Sequence, residues 1–181
     1  MHIENKILPK YCYKNRVMNS VDAIVIHYFS GLYVDPQNMF DNDVCYDMFK
    51  DLNLPGPERK HVMEANNDPR FYASAHYMIG REGEVFNLVP LPYIAWHAGK
   101  SELNGRKYCN NYAVGIEMIA TYDSGYTDEQ YSSLAVLCSQ MMIRYDISMD
   151  MIVGHEDVAP GRKKDPGPKF DWDRYRLLGE F

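Results

Sequence analysis

Between positions 153 and 167 the chain reads Val-Gly-His-Glu-Asp-Val-Ala-Pro-Gly-Arg-Lys-Lys-Asp-Pro-Gly, one irregular run holding a histidine, three acids, three bases, two prolines and three glycines. Folding alone does not demand that mixture, and a reactive site is the better reading of it. His155 follows the apolar Ile152-Val153, and a second histidine, His27, follows Ile24-Val25-Ile26 in the same way. Asp165 lies ten residues beyond His155, across a loop broken by Pro160, Gly161, Pro166 and Gly167, long enough to bring a carboxylate back toward the histidine. Two neutral imidazoles and one carboxylate, with a fourth position open to water, make the donor set of a catalytic zinc site, which lowers the pKa of bound water to about 7. A histidine at a strand end is more often a hydrogen-bonded structural residue than a ligand, so on spacing alone both readings stand.

Such a set needs elements that converge. Residues 21–26, continuously apolar and β-branched, predict a strand covered on both faces and ending on His27. Residues 37–52 carry Phe40, Val44, Met48 and Leu52 at helical spacing, with Cys45 and Phe49 beside them, and predict one amphipathic helix. Pro55 and Pro57 make residues 53–61 a loop. Residues 73–79 and 84–89 flank Gly80-Arg81-Glu82-Gly83 and predict a hairpin. Residues 94–101 then form a loop in which Trp96 and His97 stand together.

Residues 112–119 predict a further strand, apolar except for Glu117. Thr127 and Gln130 form a capping box that opens a helix running to about Tyr145, with Tyr131, Leu134, Cys138, Met141 and Tyr145 along one face. Residues 151–153 predict a last short strand, and a terminal helix starts near Phe170 with Asp171 as its cap. Strands interspersed with helices predict an α/β fold, a central mixed sheet flanked by helices, in one domain over residues 1–181. Strand ends in such sheets converge on one edge, where His27 and His155 would meet.

Bulk properties exclude several classes. A formal charge of -6 argues against nucleic-acid binding, which needs a basic surface. No apolar run approaches the roughly 20 residues of a membrane span, so no membrane insertion is expected. The N-terminus lacks a secretory layout, which predicts a cytoplasmic protein. Four scattered cysteines, without a Cys-x-x-Cys pair, are expected as reduced, space-filling thiols.

From His155 to Trp172 the sequence HEDVAPGRKKDPGPKFDW resembles the signature of the zinc-dependent N-acetylmuramoyl-L-alanine amidases of the type-two family. Ile26-His27, Ser74-Ala75-His76-Tyr77, Gly83-Glu84-Val85, Trp96-His97-Ala98-Gly99, Val114-Gly115-Ile116-Glu117 and the run from Tyr126 to Tyr131 follow in the family's order. The resemblance covers residues 21–172, and it implies the type-two amidase fold, similar to that of peptidoglycan recognition proteins. It also implies hydrolysis of the amide between the lactyl group of N-acetylmuramic acid and the L-alanine of the stem peptide.

Carried over by position, the resemblance makes His27, His155 and Asp165 ligands of one Zn2+, Glu117 the catalytic acid and Lys163 the lysine of the last motif. A cation at Lys163 suits the oxyanion that develops during attack, and Glu117 suits proton transfer from water to the leaving amine. Trp96 and His97 are expected along the substrate groove, an aromatic face and a polar edge suiting a sugar, and Arg162 is a candidate for a substrate carboxylate. His76 is expected either there or packed inside, and His2 and His61 in solvent. The expected partner is peptidoglycan or a muropeptide, with the oligomeric state left open. The compact form favours a phage endolysin that reaches the wall through holin lesions in the host membrane. The alternatives are a cytoplasmic recycling amidase acting on soluble anhydro-muropeptides, a non-catalytic peptidoglycan-binding module, and a structural protein with packed histidines.

Overall fold

A computed structural model describes residues 1–29, 40–54 and 72–179. Along these the chain forms β1 (Ile3–Asn5), β2 (Lys14–Val17), β3 (Ala23–Tyr28), α1 (Asn42–Leu52), β4 (Tyr77–Ile79), β5 (Val85–Asn87), β6 (Tyr93–Ile94), β7 (Glu102–Leu103) and β8 (Arg106–Lys107). It continues through β9 (Ala113–Met118), α2 (Asp128–Tyr145), β10 (Ile152–Gly154), the one-turn α3 (His155–Val158) and α4 (Trp172–Gly179).

Six strands make the central sheet in the order β1-β5-β4-β9-β3-β10. Only the β4–β5 hairpin is antiparallel; β1 with β5, β4 with β9, β9 with β3 and β3 with β10 are parallel. The mixed sheet expected from the sequence is therefore present. Its hairpin is shorter than residues 73–89 suggested, and its turn closes through Gly80 N–H to the Glu84 carbonyl at 2.9 Å and Gly83 N–H to the Gly80 carbonyl at 3.1 Å. Gly83 adopts φ +83°, and an added Cβ would sit 2.9 Å from the Glu129 backbone oxygen, so turn and helix α2 touch only because this residue has no side chain.

The alternation of strand side chains divides the sheet into two chemically different faces. From β3 and β9, Ile24, Ile26, Val114, Ile116 and Met118 join Tyr131, Leu134, Cys138 and Met141 of α2 and Tyr175 of α4 in one buried core. Burying a side chain of this kind contributes roughly 1.5–3 kcal/mol. The intervening residues face the other way: Ala23 and Val25 pack with Ala98, Tyr112, Ala113 and Val158, and Met78 and Phe86 pack with Phe49 of α1. His27 and Glu117 continue that second series, and the sheet thus carries them on the face opposite α2.

Helix α2 begins as its capping box requires. The Thr127 hydroxyl accepts from Gln130 N–H, and Gln130 Oε1 accepts from Thr127 N–H, both at 3.1 Å. Asp171 Oδ1 accepts from Arg174 N–H at 2.9 Å and caps α4. Asp41 caps α1, whose buried stripe is Cys45, Phe49 and Leu52, so that of the expected line through Phe40, Val44, Met48 and Leu52 only Leu52 is fully buried. Phe40 is exposed, because the helix starts only at Asn42 and turns Phe49 toward Phe29 in ring contact. The expected helical start at Gln37 and most of the proline loop with His61 lie outside the described residues.

Candidate metal centre

Parallel pairing of β3 with β9 sets His27 directly against Glu117, one residue before the end of each strand. The strand expected to end on His27 runs one residue further, to Tyr28, because residues 23–28 pair without a break with residues 113–118. On the other side of β3, Gly154 of β10 pairs with Ile26, and His155 follows as the first residue of α3. The next loop folds back. Arg162 and Lys163 N–H both donate to the Ala159 carbonyl at 3.1 Å, and Glu156 N–H donates to the carbonyl of Asp165 at 2.8 Å. That last bond ties Asp165 beside the start of α3, and Tyr126 donates its hydroxyl to the Pro166 carbonyl at 2.7 Å from the opposite side.

The result is a triangle of buried atoms. His27 Nδ1, His155 Nδ1 and Asp165 Oδ2 lie 2.9 Å from one another on all three edges. Both outer imidazole nitrogens have partners, His155 Nε2 at 3.2 Å from the Ala98 carbonyl and His27 Nε2 at 3.1 Å from His97 Nδ1. Burial, the neighbouring His155 and the Lys163 charge outweigh Asp165 and push the His27 imidazole down to about 4, so it is neutral at pH 7. Burial opposes ionisation of Asp165, but the two imidazoles outweigh it and hold the carboxyl well below the ordinary carboxylate range. Two imidazole nitrogens and one carboxylate oxygen aimed at a common point fit a divalent cation.

Glu117 stands next to this triangle without belonging to it. Its Oε2 is shielded from water and has no hydrogen-bond partner. An orphaned carboxylate oxygen in that position costs free energy unless it serves the chemistry. Burial pushes the Glu117 carboxyl up to about 8, the Asp165 charge adds to the rise, and Lys163 opposes it. Lys163 is half-buried and its charge reaches both Glu117 and His27. Metal ligands, proton carrier and cation expected from the sequence thus share one end of the sheet.

The family model for N-acetylmuramoyl-L-alanine amidase matches residues 17–168. The chain belongs to that amidase family. It is 47% identical over 158 residues to the 1,6-anhydro-N-acetylmuramyl-L-alanine amidase AmpD of Haemophilus influenzae, which covers 86% of this chain and 80% of that protein. Against the protein of the same name from Citrobacter freundii it is 46% identical over 105 residues, and the match spans only 56% of that relative's length. A crystal structure of an AmpD derivative superposes with a TM-score of 0.77 at 31% identity, over 97% of this chain and 94% of that one. A Bacillus subtilis endolysin superposes with a TM-score of 0.66 at 18% identity, over 99% of both chains, and so shares the fold.

The remaining expected site residues divide. Trp96 is half-buried, and its ring meets that of the exposed Tyr72 at a tilt, with centroids 4.9 Å apart. His97 is not a groove residue. Its Nδ1 meets His27 and its Nε2 meets the Ala113 carbonyl at 3.1 Å, which leaves no ring nitrogen for a sugar. Arg162 is exposed, and its Nη2 donates to the carbonyls of Ala98 at 2.6 Å and Lys100 at 2.8 Å. His76 is fully buried, with Nε2–H donating to the Tyr93 carbonyl and Nδ1 accepting from Gly115 N–H. Sequence reasoning missed Tyr126 as an anchor of the Asp165 loop, although it sits in a recognised motif, and it missed Asn110, for which no local signal exists.

Proposed function

We propose that the chain is a zinc-dependent amidase that cleaves the bond between N-acetylmuramic acid and L-alanine in soluble anhydro-muropeptides. The single observation that carries this reading is the triangle of His27, His155 and Asp165 with the Glu117 carboxyl, whose buried Oε2 has no hydrogen-bond partner, beside it. Bound by those three residues, zinc supplies Lewis acidity to a water and to the scissile carbonyl. Glu117 takes the proton of the attacking water at its open oxygen and delivers it to the leaving nitrogen of L-alanine. Burial raises the Glu117 carboxyl toward neutrality, which suits it to carrying a proton and delivering it to the leaving nitrogen. Lys163 places its positive charge where the carbonyl oxygen becomes negative, an interaction stronger in the transition state than in the ground state.

The substrate class follows the relatives. The proteins 46–47% identical to this chain carry the anhydro-muramyl amidase name, whereas likeness to an endolysin at 18% identity speaks for the fold alone. That reverses the preference for a lysis enzyme, and with it the route through holin lesions loses its ground. A cytoplasmic recycling role goes with the proposed substrate. No helix among the described residues is long and apolar enough to cross a membrane.

Mass spectrometry of released stem peptides, with purified anhydro-muropeptides and intact sacculi offered separately, tests the reading. Rapid release of the intact stem peptide from the soluble substrate, and little from sacculi, is expected. Preference for sacculi would restore the lysis reading. Binding of either substrate without cleavage would leave a recognition module.

A further inference from the structure

We propose that the two-residue segment His97-Ala98 is the template that fixes which nitrogen of each metal-site histidine carries its proton, with Asn110 holding the template in place. The inference rests on the metal-centre reading and is independent of substrate and reaction.

The argument follows the protons outward from carbonyls, which only accept. Ala113 O lies 3.1 Å from His97 Nε2, so His97 carries its proton on Nε2 and offers a lone pair at Nδ1. That lone pair lies 3.1 Å from His27 Nε2, which must therefore be the protonated nitrogen of His27. His27 Nδ1 is then left as a lone pair, turned into the triangle. The neighbouring residue does the same for the second histidine. Ala98 O lies 3.2 Å from His155 Nε2, placing the proton there and the lone pair on Nδ1. Two adjacent residues thus dictate both ligand tautomers, one through an imidazole and one through a carbonyl, where outer-shell partners of metal-bound histidines are typically single carboxylates, carbonyls or waters.

A template works only if it is rigid, and three groups make it so. Asn110 Oδ1 accepts from both backbone amides of the segment, His97 N–H at 3.3 Å and Ala98 N–H at 2.8 Å. Arg162 holds the Ala98 carbonyl from the far side at 2.6 Å. Gly115 leaves the space in which the His97 ring lies: a Cβ there would come within 2.4 Å of His97 Cγ and 2.7 Å of its Nδ1. Glycine at position 115 and glutamate two residues on thus divide one strand face between ring and carboxylate. His97 and Asn110 are positioning residues, acting through His27 and His155.

The test is the zinc dissociation constant of the full-length apoprotein, read by competition with a chromophoric chelator, with the thermal midpoint of each apoprotein as the control for folding. His97→Leu should bind zinc roughly 10–100-fold more weakly than the native protein. His97→Gln, whose amide can donate to Ala113 O and accept from His27, should recover most of that loss. Asn110→Ala should weaken binding in the same direction and serves in place of His97→Leu if that variant fails to fold. Native affinity in His97→Leu or in Asn110→Ala, or a His97→Gln protein as weak as His97→Leu, would overturn the template. Absence of zinc binding by the native protein would instead remove the metal-centre reading itself.

Discussion

His27 and Glu117 lie directly opposite each other on adjacent parallel strands, so one residue pair places a nitrogen of the candidate metal site and a carboxylate whose Oε2 has no hydrogen-bond partner on the same end of the same sheet face. The register makes their separation a property of the sheet rather than of loops. It also separates their duties, since Glu117 is not among the three donors of the triangle. Glu117→Gln keeps the shape and removes the proton carrier. Zinc content should stay at one per chain while turnover falls by roughly 10²–10⁴, the usual contribution of general acid–base catalysis. Metal analysis beside a peptide-release assay checks this, and full turnover in the variant would remove the assigned role.

Metal removal should act on stability as well as on activity. Without a cation the inward-facing lone pairs of the triangle gain nothing, whereas an ion binding only the folded state at 1,000 times its dissociation constant adds about 4 kcal/mol. Thermal melts with and without a strong chelator should differ by several degrees in the native protein, and zinc in excess of the chelator should reverse the change. Asp165→Ala should lower zinc affinity and abolish that difference. An Asp165→Ala protein that still responds to chelator would place the third ligand elsewhere.

Much of this centre could be read from the chain, and the reasons differ by residue. His155, Lys163 and Asp165 share one contiguous motif, so local sequence carries them together. The start of α2 was legible because Thr127 and Gln130 state a hydrogen-bonding geometry at fixed spacing. Pairing of His27 with Glu117 was not, since it depends on the order β4-β9-β3-β10, a nonlocal property. His97 misled for a related reason. Beside Trp96 it looks like a groove residue, and only the space over Gly115, eighteen positions later, reveals a ring turned inward. The seam of α1 shifted because apolar spacing gives a helix but not which side of it meets the sheet.

Tyr126 offers a narrow probe of how Asp165 is held. Its hydroxyl donates to the Pro166 carbonyl, next to the ligand, while its ring packs on Phe170 with centroids 5.1 Å apart. Tyr126→Phe keeps the packing and deletes one hydrogen bond, which should cost about 1 kcal/mol of stability. Zinc affinity should fall roughly tenfold, the lower end of what outer partners contribute. Urea unfolding of the apoprotein and chelator competition measure the two effects. Unchanged affinity would mean that the Glu156 N–H bond to the Asp165 carbonyl holds the loop by itself.

Acid should destabilise the fold through the buried histidines. Desolvation pushes His76 down to about 4, against the hydrogen bond to the Tyr93 carbonyl, and it drives His97 well below its ordinary value. In the unfolded chain both titrate near 6.5. Between about pH 6.5 and pH 4 the unfolded state therefore binds protons that the folded state does not. Stability consequently falls as the pH is lowered through that window, by roughly 1.4 kcal/mol per unit for each such histidine, and it is fully regained above about pH 7. His76→Gln can still donate to Tyr93 and accept from Gly115 N–H, yet it cannot titrate. Its plot of unfolding free energy against pH, taken from urea titrations at fixed zinc and ionic strength, should be shallower than that of the native protein by about one proton. Equal slopes would show that His76 is not held neutral by its burial.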